Sequence, residues 1–410
     1  MKILVLRVEG FRSLKDVGWQ PGDLNILIGP NGSGKSNLLR LLELISASAR
    51  GKLQETIVRS GGIDSMLWDG KADKLTFGIK VEGDPSAQLH TYTIELRRFQ
   101  RNNSYIIDQE LLDTDVLGLG SREQRILRQG THAQIAEHKQ QEDWTKSPVV
   151  LIPVEEFRDQ ETLLSEVSGT SIASQVQKQI AAFRKYLESW TIYNDVLVHA
   201  DAPVRQPVVT RLEKQVAPDG QNLISVLHTL YTGDRNFKHD INAAMQAAFG
   251  DDFDELIFPP AADQRIQMRV RWKTLQREQS TADLSDGTLR FLFLMTVLAN
   301  PEPPALIAID EPETGLHPSM LPIIADFAVK ASHRTQVIFT THSAEFLDAF
   351  TDVKPTTTVA RWENGETSLQ ILDEERLDYW LKEYTLGKLY RSGELENMAE
   401  DAKEHSETAA

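Results

Sequence analysis

The sequence predicts an α/β fold built on a parallel sheet and interrupted by a mostly helical insert. Three observations carry that prediction. Residues 24–28, Leu-Asn-Ile-Leu-Ile, form a short apolar run that ends in a glycine-rich loop and leads into a leucine-rich helix. Residues 305–309, 318–332 and 335–340 alternate strand, helix and strand, the pattern of βαβ units. Between these regions, from about residue 116 to 250, the chain turns polar and takes up helical periodicity.

Taken in order, residues 2–9 read as a strand, followed by Gly10-Phe11-Arg12-Ser13-Leu14. The run at 24–28 is bounded by turn signals, as a buried strand is. From Lys35 to about Ile45, leucines 38, 39, 41, 42 and 44 surround a helix buried on most sides. Residues 74–82, 89–97 and 104–111 alternate in part and suggest a meander. Residues 120–142 are rich in Gln, Arg and Glu and read as an exposed helix or a mobile segment. Over 171–190, Ile172, Val176, Ile180, Phe183, Leu187 and Trp190 recur at steps of three and four, which predicts an amphipathic helix. Further helices are expected at 222–231, 236–248 and 287–299, and a strand at 264–275. The stretch from about 391 to 410 is acidic and is expected to fray.

Composition narrows the function. The chain has 410 residues, with 44 Lys plus Arg against 60 Asp plus Glu, a net charge of −16. That excludes a basic coat for nucleic acid but not a local basic patch. Cysteine is absent, which excludes disulfides, thiolate nucleophiles and Cys-ligated zinc. The N-terminus, Met1 to Arg7, is interrupted too soon for a signal peptide. The longest apolar stretch, Phe291 to Ala299, is far shorter than the ~20 residues of a membrane span. A soluble cytoplasmic protein is the expectation.

Four motifs carry chemistry. Gly29-Pro30-Asn31-Gly32-Ser33-Gly34-Lys35-Ser36 has the P-loop pattern between a strand and a helix. Glycines let consecutive N–H groups curl around phosphate oxygens, and the helix turns its positive end to the same anion. Lys35 supplies a point charge, Ser36 a hydroxyl for Mg2+, and Asn37 continues the loop into the helix. Ala305 to Glu311 is an apolar strand ending in two acids; Asp310 suits Mg2+ and Glu311 the polarisation of water. The plain alternative is an acid pair capping the next helix. Leu284-Ser285-Asp286-Gly287-Thr288 opens an apolar helix. It is either an N-cap or an ABC-type signature, in which Ser285 and Gly287 bind the γ-phosphate of ATP held by another subunit. Its position 25 residues before Asp310 favours the signature. Finally, Gln336 to Ser343 places His342 just past a buried strand, where a histidine senses γ-phosphate or orients water.

Together these motifs resemble the RecF/SMC-like ABC-type ATPases, and more closely the bacterial "predicted ATPase" group related to RecF and to the ATPase part of the OLD family. Gly10 to Asp16, Ile28 to Leu39, Gly61-Gly62 with Leu67 and Gly70, and Asp310 to Pro318 carry the likeness, which covers about 1–100 and 264–350. The resemblance implies a P-loop NTPase head of ABC type, using ATP and Mg2+, that closes head to tail with a second copy as a homodimer or higher homo-oligomer. Lys35, Ser36, Asp310, Glu311 and His342 of one copy would face Ser285 and Gly287 of the other. Glu313 and His317 would lie in the segment crossing that interface, or simply form a turn before Pro318. The implied organisation is an N-terminal ATPase lobe at 1–115, the insert at 116–250, a C-terminal ATPase lobe at 251–375, and a helix with an acidic tail at 376–410. Asp286 and Thr288 stand where transporter ATPases usually carry Gly and Gln, which argues against a transporter subunit. With 60 residues after 350 there is no room for the OLD nuclease module, so no nuclease activity is expected in this chain.

Two uses of the ATPase follow. In the first, the ATP-bound dimer acts on DNA. Arg265, Gln267, Arg269, Arg271 and Lys273 share one face of the strand expected at 264–275, either as a phosphate-contacting stripe or as the solvated face of an edge strand. Arg122, Arg125 and Arg128 recur every three residues and suggest a solvated helix face. In the second, the dimer is a switch or scaffold for a separately encoded effector protein, as in defence against phage. A P-loop small-molecule kinase fits less well, because the Ser285 motif has no role in one.

Overall fold

The computed structural model describes residues 1–83, 88–99, 103–116, 121–138, 149–167, 175–350 and 353–400. Along the chain, strands β1 (Lys2–Phe11), β2 (Leu14–Trp19) and β3 (Leu24–Ile28) precede helices α1 (Lys35–Ala49) and α2 (Leu53–Arg59). Then come β4 (Lys74–Glu82), β5 (Gln88–Phe99), β6 (Ser104–Val116), β7 (Ser121–Gln129), β8 (His132–His138) and β9 (Val149–Pro153). Helices α3 (Leu163–Glu166) and α4 (Gln175–Glu188) lead to β10 (Thr191–Tyr193), β11 (Val208–Val209), α5 (Leu223–Gly233) and α6 (Arg235–Phe249). Short strands follow: β12 (Phe253–Ile257), β13 (Pro260–Ala261), β14 (Arg265–Ile266), β15 (Arg269–Trp272) and β16 (Gln279–Ser280). The chain continues through α7 (Asp286–Leu298), β17 (Leu306–Asp310), α8 (Leu321–Ser332), β18 (Gln336–Thr341) and α9 (Ala344–Asp348). It ends on β19 (Thr356–Glu363), β20 (Glu366–Ile371), α10 (Glu374–Trp380) and α11 (Leu386–Arg391).

These elements form two compact units. The first comprises Met1–Gly22, Gly29–Trp190 and Ala360–Ile371. Its strands run β2-β1-β4-β5-β6-β7-β8-β9, every neighbouring pair antiparallel. Burial alternates along β4, so one face of the sheet is packed and the other is wet. The packed face is covered by α4, whose Phe183 ring meets Tyr92 edge-on at 5.7 Å. Helix α1 is anchored to α4 where the Ser46 hydroxyl donates to the Leu187 carbonyl at 2.8 Å.

The second unit comprises Asp23–Ile28, Thr191–Val359 and Leu372–Ala410. Its parallel strands run in the order β10-β17-β18-β3-β19. Strands β3 and β18 are buried at every position, as central parallel strands are. Helices α5, α6, α7 and α8 contribute to one apolar core with them. The register aligns Asp310 with Thr340 and Thr341 with Ile28, so these strands end together at their carboxyl edge.

Several expectations need correction. Residues 121–129 and 132–138, expected within an exposed helix or mobile segment, are strands β7 and β8; residues 139–142 of that stretch, and 120, lie outside the described residues. Arg125 and Arg128 are buried rather than solvated. The Arg128 guanidinium donates to the carbonyls of Asp159 and Glu161, both at 2.9 Å, and lies over the Phe157 ring. Carbonyl oxygens thus replace water around the cation. The strand expected at 264–275 is divided: β14 joins β11 and β13, whereas β15 joins β12 and β16. Residues 394–400 are helical, with Leu395, Met398 and Ala399 buried, so the last turns before 401 do not fray; 401–410 lie outside the described residues. The helix expected at 171–190 forms as α4, with 171–174 likewise outside the described residues.

Candidate active site

In the first unit the P-loop wraps the start of α1. Gly29, Gly32 and Gly34 have φ of +145°, +83° and +98°. A Cβ on Gly29 would sit 2.2 Å from the Ala360 carbonyl oxygen, and one on Gly34 would sit 2.0 Å from Thr367 Oγ1. Both positions therefore require glycine for space as well as for backbone angle. Pro30, Asn31 and Gly32 are exposed at the crest of the loop, and Ser36 and Asn37 are half-buried on the first turn of α1. Lys35 is buried, and its Nζ donates to the carbonyls of Gly29 at 2.7 Å and Pro30 at 3.1 Å. The Ser33 hydroxyl is buried with no hydrogen-bond partner. A cation, a helix N-terminus and an unused hydroxyl are gathered here, a donor set that fits a phosphate group.

The second unit supplies the acids. Asp310 ends β17 and accepts the hydroxyl of Thr340 from β18. Glu311 has φ +46°, a left-handed conformation that costs a non-glycine residue about 1 kcal/mol or more. The turn is held by the Glu311 N–H, which donates to the Thr340 carbonyl at 3.1 Å and to Thr340 Oγ1 at 3.2 Å. Glu311 Oε1 lies 3.0 Å from His342 Nδ1, and both side chains keep partial exposure. A carboxylate oxygen at this distance is placed to accept a hydrogen bond from an Nδ1–H. Glu313 accepts the Thr341 hydroxyl at 2.6 Å, and burial raises its carboxyl pKa above the ordinary range. Asp310 and Glu311 share a cleft with Tyr193, Asn194, Asp195 and Arg290. Among the described residues no three His, Asp or Glu side chains form a metal cage. Mg2+ is usually bound by one or two protein oxygens, with phosphate oxygens and water completing the shell; the Ser36 hydroxyl of the first unit and the Asp310 carboxylate of the second are each an oxygen donor of that kind.

A sequence profile of the family described as "AAA domain, putative AbiEii toxin, Type IV TA system" matches residues 24–348. The chain belongs to this family. No curated protein matches it in sequence. Among solved structures it is similar to one described as "Crystal structure of the SmcHead bound to the C-winged helix domain of ScpA", at TM-score 0.55 and 15% identity, covering 92% of this chain and all of that one. It is also similar to an Smc head domain with an extended coiled coil, bound to the C-terminal domain of ScpA derived from Pyrococcus furiosus. That match has TM-score 0.51 and 12% identity, covering 93% of this chain and 99% of that one. The fold is that of a P-loop NTPase of ABC type, and the family is one of nucleotide-binding ATPases. Among the described residues no helix is long and apolar enough to cross a membrane.

Ser285 caps α7: its Oγ accepts from the Thr288 N–H at 3.1 Å. Gly287 lies against the loop after Glu311, where an added Cβ would come within 2.8 Å of the Gly315 carbonyl oxygen. Ser285 engages Thr288 and is not paired with Asp310, Glu311 or His342. His317 starts the turn at Pro318, accepting from the Ser319 N–H through Nδ1.

Several positioning residues escaped the sequence reading. Arg205 is buried and gathers the segment before α7. It donates to the carbonyls of Thr281 at 2.9 Å and Leu284 at 2.7 Å, and pairs with Asp286. Thr367 and Ser13 lie under the P-loop: Thr367 Oγ1 is 2.9 Å from the Ser33 carbonyl oxygen and 2.7 Å from Ser13 Oγ, which also accepts from Asn37 Nδ2 at 2.8 Å. The cationic stripe is largely occupied. Arg271 pairs with Glu255 and Glu278, Arg269 pairs with Glu278, and Lys273 donates to the Asp251 carbonyl.

Proposed function

We propose that this chain hydrolyses ATP with Mg2+ and uses the cycle as a switch, closing head to tail with a second copy when ATP is bound. The observation that carries the hydrolytic part is the Glu311–His342 contact at 3.0 Å, set at the ends of neighbouring parallel strands beside the Thr340–Asp310 contact. Gly29 to Ser36 and Asn37 hold the phosphates, with Lys35 as the point charge. Ser36 and Asp310 are the residues that would hold Mg2+, and the ion would supply charge neutralisation on the phosphate oxygens. Glu311 accepts the proton of the attacking water, and His342 keeps the carboxylate oriented through Nδ1–H. Ser285 and Gly287, free of the acids of their own chain, serve the nucleotide of the second copy.

For what the switch controls, the ion pairs at Arg269 and Arg271 support a separately encoded protein effector over DNA. Charges already engaged with Glu255 and Glu278 have less to gain from phosphates. The family description, with its toxin–antitoxin association, agrees with that reading. The test is ATP turnover and ATP-dependent dimerisation of the purified chain at ~100 mM salt, with and without DNA, because low salt exaggerates phosphate contacts. Turnover and dimerisation indifferent to DNA are expected. A clear rise with DNA would favour the reading in which the ATP-bound dimer acts on DNA.

A further inference from the structure

Glu313 is turned inward. Its side chain is only 10% exposed. Oε1 accepts the Thr341 hydroxyl at 2.6 Å and lies 4.0 Å from His342 Nδ1, while Oε2 is buried with no hydrogen-bond partner. Burying a carboxylate with one oxygen unsatisfied is costly. What the position gains is geometric. Glu311 and Glu313 flank Pro312, and the left-handed turn at Glu311 brings both carboxylates to the same ring nitrogen, at 3.0 and 4.0 Å. Thr341 fixes the second carboxylate from the residue just before His342, and its Oγ1 also accepts from the Ser343 N–H at 2.9 Å. The backbone on either side of the imidazole is thereby tied to Glu313.

We propose that Glu313 is a positioning residue for hydrolysis: held by Thr341, it keeps the His342 ring with Nδ1–H presented to Glu311 and does not itself touch the nucleotide. This rests on the reading of Glu311 and His342 as the hydrolytic pair. At 4.0 Å Glu313 makes no hydrogen bond to the ring, so it acts through the Thr341 anchor and the carboxyl group it places beside the imidazole.

The test is a double-mutant cycle on the full chain with Mg2+ and ATP, with nucleotide affinity read from a fluorescent ATP analogue. Glu313→Gln should lower kcat about tenfold while KM and analogue Kd stay within about twofold, because the residue acts only on the chemical step. In a His342→Ala background the same substitution should cost less than about twofold, because its route of action is already gone. Equal losses in both backgrounds, or a raised KM with kcat kept, would overturn the proposal. Thr341→Val removes the anchoring hydroxyl and leaves the carboxylate, so it keeps the test open if Glu313→Gln does not fold. The same kcat loss with the same non-additivity supports the proposal, and wild-type turnover overturns it. Glu311→Gln separates the two levels. Turnover that survives it removes the hydrolytic pair itself, whereas an inactive Glu311→Gln beside a fully active Glu313→Gln overturns only the role given to Glu313.

Discussion

Replacing Thr367 with valine should weaken ATP binding without touching the P-loop motif. Thr367 is 330 residues and more from the loop in sequence, yet its hydroxyl sits 2.9 Å from the Ser33 carbonyl oxygen and 2.7 Å from Ser13 Oγ, with all three residues buried. Valine keeps the shape and removes the hydroxyl. Up to two hydrogen bonds are lost at about 1 kcal/mol each, and a buried oxygen left unsatisfied adds about 1–2 kcal/mol more. The methyl must also fit where the hydroxyl already crowds Gly34. A total of about 2–4 kcal/mol is therefore divided between loop geometry and fold stability. If half of it falls on the loop, affinity drops about five- to thirtyfold, since 1.4 kcal/mol is a factor of ten. The assay is equilibrium binding of a fluorescent ATP analogue alongside a thermal melt, with Thr367→Ser as the variant that keeps the hydroxyl. Weaker binding and a lower Tm for Thr367→Val, with Thr367→Ser within about twofold of wild type, is the expected pattern. Wild-type binding and melting for Thr367→Val, or equal losses for both variants, would refute the reasoning.

Two further outcomes follow from the same geometry. Arg205→Lys keeps the charge but loses the fork that reaches Thr281, Leu284 and Asp286, so a melt should report about 3 kcal/mol of lost stability, and turnover should fall while binding of the ATP analogue holds. His90 is buried beside Phe183, and burial, with Arg125 nearby, lowers its pKa to about 4. Its folded form binds fewer protons than its unfolded form, so its contribution is complete above pH ~6.5 and is lost as pH falls toward 4. The full loss is at most about 3 kcal/mol, and His90→Gln should flatten that part of the stability–pH profile.

What the sequence revealed follows physical lines. Motifs were legible where function needs particular residue types close together in the chain, as in Gly29 to Ser36 or Ala305 to Glu311. Buried parallel strands were legible because β3, β17 and β18 each hold a short apolar run with no competing period. Strands β7 and β8 were not, because charge was read as exposure and Arg128 is solvated by carbonyls instead. The supports of the site were hidden for a different reason. Thr367 under Ser33, Arg205 under Asp286 and Glu313 beside His342 acquire meaning only when folding brings distant or oppositely oriented groups together. Threonine and arginine are common residues, and nothing in their local spacing distinguishes these from solvated ones.

The claim that Glu311 hydrolyses ATP in this chain is tested most directly by steady-state phosphate release with Mg2+ and ATP, comparing wild type with Glu311→Gln at equal nucleotide occupancy. The geometry at His342 and Thr340 predicts sustained release by wild type and a loss of at least about a hundredfold in the variant, with ATP still bound. Equal release by the two proteins would contradict it.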